Sequence, residues 1–185
     1  MRLSRERYAT ILDRAELLVS GAEMERILDR LAESITEVLA ERDPLVLCVM
    51  NGAVIAVGRL LPRLGFPLTL DYLHATRYRG TTSGGSLHWL HRPTASVHGR
   101  HVLVVDDILD VGITLDAIVR ACREDGATDV RTAVLVEKAR EHTYDFSADF
   151  VGVRLPDRYL FGYGLDYRDY FRNADGIHAA ANEDV

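Results

Sequence analysis

The chain has 185 residues, 48% hydrophobic and 27% charged, enough for one substantial core and too few for two. Its 22 basic and 28 acidic residues leave a net charge of −6, which argues against a broad nucleic-acid-binding surface. No apolar run approaches the roughly 18 residues a membrane span requires. The start, Met1 to Arg7, lacks the apolar core of a signal peptide. Cys48 and Cys122 stand in apolar runs with no CxxC or His partner nearby, so they read as small buried hydrophobes in a reducing compartment. A cytoplasmic protein with no nucleic-acid or membrane partner is expected.

In chain order, Ser20 and Glu23 have the spacing of a capping box. Met24, Ile27, Leu28, Leu31, Ile35, Val38 and Leu39 then recur at helical spacing and predict one amphipathic helix over 21–41, ended by Asp43-Pro44. Leu45 to Met50 is a short apolar run of the buried-strand kind, closed by Asn51-Gly52. A second helix carries Val54, Ile55, Val57, Leu60, Leu61 and Leu64 on its apolar side, and Leu68 to His74 predicts the next strand. From Ala75 to His98 the chain turns polar and Gly-rich, with a strand resuming around Leu87, Trp89 and Leu90. So long an excursion in a compact domain is expected to be a mobile lid or binding loop. A helix over 114–124, a strand over 130–136 with Glu137-Lys138 at its carboxyl end, and a short strand over 149–153 follow. Ala179 to Val185 is expected to fray. Alternating strands and helices predict an α/β fold, a mostly parallel sheet flanked by helices.

The stretch from Val102 to Leu115 carries the chemistry. Val102-Leu103-Val104-Val105 reads as a strand buried on both faces, and Asp106-Asp107 stands at its carboxyl end, where open α/β sheets place their ligands. Asp110, Gly112 and Thr114 follow in a tight turn running into a helix, whose first N–H groups and the Thr114 hydroxyl make a phosphate cradle. The three carboxylates cannot bind phosphate; they suit ribose hydroxyls, a metal ion or a proton transfer. An acidic pair after an apolar strand, with a lysine ending a later strand, also occurs in response-regulator receiver domains. There the pair belongs to the first strand, not to one this far along the chain. Lys138 on position alone is as readily a solvated lysine as a ligand. Tyr159, Phe161, Tyr163, Tyr167, Tyr170 and Phe171 are mostly core aromatics, with Tyr159 the one singled out for stacking on a flat heterocycle. Arg77, Arg79 and Arg172 are either solvated or hold diphosphate.

Val104-Val105-Asp106-Asp107-Ile108-Leu109-Asp110-Val111-Gly112-Ile113-Thr114-Leu115 closely resembles the PRPP-binding signature of type I phosphoribosyltransferases. Lys138, Asp149-Phe150-Val151-Gly152, Pro156-Asp157-Arg158-Tyr159, Gly162 to Tyr167 and Tyr170-Phe171-Arg172 resemble, in that order, the downstream pattern of the hypoxanthine-guanine phosphoribosyltransferases. With Met50-Asn51-Gly52 and the Tyr78 loop, the likeness runs over 45–172. It implies Mg²⁺-dependent transfer of the 5-phosphoribosyl group from PRPP to a 6-oxopurine, hypoxanthine and/or guanine, giving IMP or GMP and diphosphate in purine salvage. It also implies a homodimer or homotetramer, and one domain over 1–185 with a core at about 40–155 and a hood from about 1–20 and 156–178.

The same resemblance implies roles for single residues. Asp106 and Asp107 would hold ribose hydroxyls directly or through Mg²⁺, Asp110 would face purine N7, and Val111, Gly112, Ile113 and Thr114 would cradle the 5′-phosphate. Lys138 would bind purine O6, Tyr159 would stack on the ring and the Leu160 backbone would read the base edge. Asp166 would hold a second Mg²⁺ and Arg172 would contact diphosphate. Asn51-Gly52 would form the diphosphate loop, with a non-proline cis peptide bond, and Arg77, Tyr78 and Arg79 would belong to the flexible loop that closes over the reaction. This chain departs from the common pattern in having Asn51 for a lysine, Arg77 for a serine, Val111 for a threonine and Ile113 for a lysine. The phosphate cradle therefore leans on backbone donors and Thr114, and Arg77 or Arg79 is a candidate to replace the charge missing at Asn51. A rival within the same fold, a nucleotide-sensing RNA-binding regulator, would want a basic surface, which a net charge of −6 does not favour.

Overall fold

The computed structural model describes residues 2–77, 87–140 and 145–184. Its main sheet runs β4-β3-β2-β5-β6-β7, built from β2 (Leu45–Val49), β3 (Thr69–Arg77), β4 (Leu87–His91), β5 (His101–Leu109), β6 (Asp129–Ala139) and β7 (Phe150–Pro156). All neighbours pair in parallel except β4, which returns antiparallel along the β3 edge. Every residue of β2 is buried, and so is Val102 to Val105 of β5. Successive side chains point to opposite faces, so unbroken burial means that helices cover the sheet on both sides.

Helix α2 (Gly21–Leu39) shows how the sequence achieves that cover. Ser20 caps it reciprocally with Glu23, and Met24, Ile27, Leu28, Leu31, Ala32, Ile35 and Leu39 are buried. Each of the larger side chains gains roughly 1.5–3 kcal/mol from leaving water. It packs over β7 and against α3 (Val54–Leu60), which lies over β2 and β5, while α4 (Ile113–Glu124) packs against β5 and β6. Both cysteines are buried and free. Among the described residues no helix is long and apolar enough to cross a membrane.

A second, three-stranded antiparallel sheet, β1-β9-β8, joins both ends of the chain: β1 (Glu16–Val19), β8 (Leu160–Phe161) and β9 (Ile177–Ala179). Beneath it Ile11, Phe161, Tyr167, Phe171, Ala174 and Ala180 form a small core of their own, closed by α1 (Arg5–Arg14). The sequence reading did not anticipate α1, although Ser4 caps it by accepting from the Arg7 N–H at 3.1 Å.

Three expectations need correction. The C-terminal stretch is not frayed: Ala179 closes β9, Asn182–Asp184 forms a 3-10 turn, and the buried Asp184 carboxylate pairs with Arg7 at 2.8 Å. Strand β5 does not stop before the acidic pair. It continues to Leu109 because Ile108 and Leu109 pair with Val136 and Glu137 of β6. The strand expected to end at His74 runs on to Arg77, so the excursion starts later than expected; β4 occupies 87–91 as expected, the Asp71 carboxylate accepts from the Thr94 and Ala95 N–H groups at 2.7 Å, and the expected lid over 78–86 lies outside the described residues.

Candidate active site

The sheet order places a reversal between β2 and β5: the chain moves outward from β2 to β3 on one side and from β5 to β6 on the other. A parallel sheet opens a crevice at the carboxyl ends of such a pair. Here Asn51 and Gly52, following β2, face Asp106 to Thr114, at and after the end of β5, across a cleft of about 570 Å³. The Met50–Asn51 peptide bond is cis. A Cβ on Gly52 would collide with the Asp107 carboxylate, and one on Gly164 would collide with the Gly52 carbonyl. Glycine at these two positions lets three separate segments meet at one loop.

Gly112, with φ +91°, is the N-cap of α4 and turns the chain sharply from strand to helix. The N–H groups of Ile113 and Thr114 lie in the first turn, where a helix supplies no acceptor, so they remain available to an anion. Asp106 and Asp107 line the same cleft. Burial, and next the neighbouring Asp107 charge, hold the Asp106 carboxyl well above its usual range. Burial also raises Asp107, with Arg172 opposing. Such a pair gains from a cation or from hydroxyl donors. Cys48 stands beneath it, its thiol pushed up to about 11 by burial and then by the two aspartates, so it remains a thiol and no nucleophile.

A second pocket of about 300 Å³ abuts the cleft and shares Asp107, Ile108, Asp110 and Asp166 with it. Lys138 near the end of β6, Tyr159, Leu160 and Leu165 supply its other walls. Lys138 Nζ lies 3.2 Å from Asp157 Oδ1 and 3.8 Å from Asp110 Oδ1. Tyr159 stays 38% exposed, with the edge-packed ring of Tyr167 5.3 Å from it. Arg172 joins the two cavities: it donates to the Gly164 carbonyl at 2.7 Å and to Asp166 at 2.8 Å, and stands 4.0 Å from Asp107.

The phosphoribosyl transferase domain family matches residues 15–168. A hypoxanthine-guanine-xanthine phosphoribosyltransferase of Tritrichomonas foetus is 32% identical over 162 residues, covering 87% of this chain and 88% of that protein. The chain belongs to the hypoxanthine-guanine phosphoribosyltransferase family. A hypoxanthine-guanine phosphoribosyltransferase of Bacillus subtilis is 31% identical, with 87% of this chain and 90% of the relative covered. In fold, this phosphoribosyltransferase superposes on the crystal structure of a hypoxanthine phosphoribosyltransferase from Staphylococcus aureus with a TM-score of 0.88, covering 98% of each chain at 24% identity.

Of the residues singled out in the sequence, Asn51, Gly52, Asp106, Asp107, Asp110, Val111 to Thr114, Asp166 and Arg172 line the larger cleft of this phosphoribosyltransferase. Lys138, Tyr159 and Leu160 line the smaller pocket. Arg77 closes β3, and Tyr78 and Arg79 lie outside the described residues. The sequence reading missed His74, Thr76 and Asp169 on the cleft wall, and also Asp157 and Arg140, which pair with Lys138 and Asp110. Thr76 was hidden by the assumption that β3 stops at His74. Asp157 stood in the resembling Pro156-to-Tyr159 stretch without a role and Arg140 in no motif, and their pairing becomes visible only when β6 and β7 are set side by side.

Proposed function

We propose that this enzyme transfers the 5-phosphoribosyl group of PRPP to N9 of a 6-oxopurine, hypoxanthine or guanine, releasing diphosphate and forming IMP or GMP. The observation that carries this reading is the meeting of two cavities at Asp110: a cleft lined by the first turn of α4 and the paired carboxylates, and a smaller pocket lined by Lys138 and Tyr159.

Asp106 and Asp107 accept from the ribose hydroxyls, and the Val111 to Thr114 turn receives the 5′-phosphate on backbone N–H groups and the Thr114 hydroxyl. Asn51, Gly52 and Arg172 face the diphosphate. Lys138 donates to purine O6, Tyr159 covers the ring, and the Leu160 backbone reads its edge. As the bond from ribose C1 to diphosphate lengthens toward an oxocarbenium-like state, N9 closes on C1 and the proton at N7 passes toward the Asp110 carboxylate. Arg77, Tyr78 and Arg79 belong to a loop that excludes water, which would otherwise consume the activated sugar.

Among the described residues no group of three or more His, Cys, Asp or Glu side chains could hold a metal alone. The raised carboxyls of Asp106 and Asp107 nonetheless fit a divalent cation shared with substrate oxygens, which is how Mg²⁺ is usually held. Asp106 and Asp107 would hold one such cation and Asp166 a second, and when bound they would neutralise the departing diphosphate. We read residues 1–20 and 156–178 as a hood over the core, and the enzyme as a cytoplasmic homodimer or homotetramer. Leu70 and Tyr72, on one face of β3, remain half exposed, in keeping with a subunit contact.

The test is diphosphate release from PRPP and Mg²⁺ with hypoxanthine, guanine, xanthine and adenine offered separately. Turnover with a 6-oxopurine and little with adenine is expected; no turnover with any purine sinks the reading. Light scattering of the same sample reads the oligomer.

A further inference from the structure

Arg140 is the first residue after β6, and its N–H donates to the Lys138 carbonyl at 3.0 Å in a tight turn. Its Nη1 donates to Asp110 Oδ1 at 2.7 Å and lies 3.8 Å from Asp157 Oδ2. With Lys138 bridging the same two acids, two cations and two carboxylates make a ring at the mouth of the smaller pocket. Lys138 stands nearer Asp157, at 3.2 Å, than Asp110, at 3.8 Å, so the close partner of Asp110 is Arg140. Both ion pairs to Asp110 fall on Oδ1. Among the described residues, Oδ2 receives none.

The contact does little for the fold. The Asp110 and Arg140 side chains are 47% and 32% exposed, and pairs this open to water contribute little to stability. Its effect is on orientation. A carboxylate on a turn has free torsions, and a general base works best when a third group fixes its direction. A guanidinium suits that task because its planar fork restricts the carboxylate more than an ammonium does.

We propose that Arg140 is the positioning residue of Asp110: it holds Oδ1 and so leaves Oδ2 directed at the purine N7 proton. This rests on the reading of Asp110 as the group that takes that proton. Arg140 touches neither substrate and acts only through Asp110.

The experiment compares steady-state kinetics of the native enzyme, Arg140→Ala and Arg140→Lys with PRPP and hypoxanthine. For Arg140→Ala, kcat falls about tenfold, at or below the low end of positioned acid–base help, while KM for PRPP and the melting temperature hold. Arg140→Lys recovers part of the loss. Free guanidinium ion restores part of the rate to Arg140→Ala but none to Lys138→Ala, a response that a merely structural residue would not give. Arg140→Ala with native or higher kcat overturns the role, as does a rise in KM for PRPP that matches the fall in kcat. A native enzyme that turns over no purine overturns the reading of the site together with this inference. A working native enzyme beside an unaffected Arg140→Ala overturns this inference alone.

Discussion

The two halves of the site are built in opposite ways. The phosphate half centres on one continuous run: Asp106 to Thr114 supplies the carboxylates, the turn and the helix N-terminus, and Asn51-Gly52, the end of β3 and Asp166 to Arg172 complete the wall. The purine half is assembled from the end of β6, the segment before β8 and Asp166, positions that only the folded chain brings together. Their electrostatics differ as well. The phosphate half keeps two carboxyls raised by burial with Arg172 4.0 Å from one of them, whereas the purine half pairs its charges internally through Lys138, Arg140, Asp110 and Asp157. One half is preset to receive charge from its ligands. The other is preset to hold side chains still.

Asp110 lies on the boundary, so its loss should be the largest effect. Asp110→Asn keeps the shape and removes the proton acceptor. In single-turnover experiments the rate should fall roughly 10²- to 10⁴-fold, while calorimetry finds PRPP bound nearly as before. Equal damage to both would show that the two halves do not meet there. Gly52→Ala should come next and strike the phosphate half alone. Its Cβ would push on the Asp107 carboxylate. Overpacking of this kind costs about 1–3 kcal/mol, or roughly 5- to 150-fold if all of it falls on PRPP affinity. A purine KM that rises just as much would mean the halves are one rigid unit.

The same difference decided what could be read in the sequence. β2, β5 and α4 were legible because an unbroken apolar run next to a Gly/Thr turn is a local signal, and α2 because its apolar stripe and its capping box agree. The purine half had no such signal. Lys138 and Tyr159 took definite roles only through the resemblance, Asp157 entered it without a role, and Arg140 did not stand out at all, because an ion pair between a strand end and a distant loop leaves no periodicity. The C-terminus was misread for the same reason. Ala179 to Asp184 is short and without apolar periodicity, and what orders it is β1 and Arg7, at the other end of the chain.

The raised carboxyls give a pH test confined to the phosphate half. Burial places the Asp106 carboxyl above its usual 3.8, so the folded state binds that proton more tightly than the unfolded chain does. Stability from this group is therefore full below the unfolded value and falls as pH rises toward the folded one. Asp106→Asn removes the penalty. In the absence of ligand its melting temperature should match the native protein near pH 4 and exceed it increasingly toward neutrality, by roughly 2–4 °C for each 1 kcal/mol regained. Glu25, pushed down to about 2 chiefly by its hydrogen bond with Arg59, acts in the opposite sense below this window and is common to both proteins. The variant should also lose the extra stability that PRPP with Mg²⁺ gives the native enzyme. Parallel melting curves from pH 4 to 8 would contradict the assignment of strain to this pair.

The smallest effect should be the most remote. Arg7 on α1 pairs with the Asp184 carboxylate, whose side chain is 1% exposed. The Tyr167 hydroxyl donates to the Asp184 carbonyl, and the Tyr167 ring packs edge-on against Tyr159 at 5.3 Å. Among the described residues nothing comparable ties α1 to the Gly112 turn. Arg7→Ala leaves a buried carboxylate without its cation, which costs about 1–3 kcal/mol of stability. If a fraction of that loosening reaches Tyr159, KM for the purine should rise about two- to threefold, an energy well under the 1.4 kcal/mol of a tenfold change. KM for PRPP should not move. A shift in PRPP and an unchanged purine KM would reverse the comparison, placing the long-range support under the phosphate half. No shift in either would confine the N-terminal helix to stability, and the purine pocket would then be held by β8 and the Lys138 ion pairs alone.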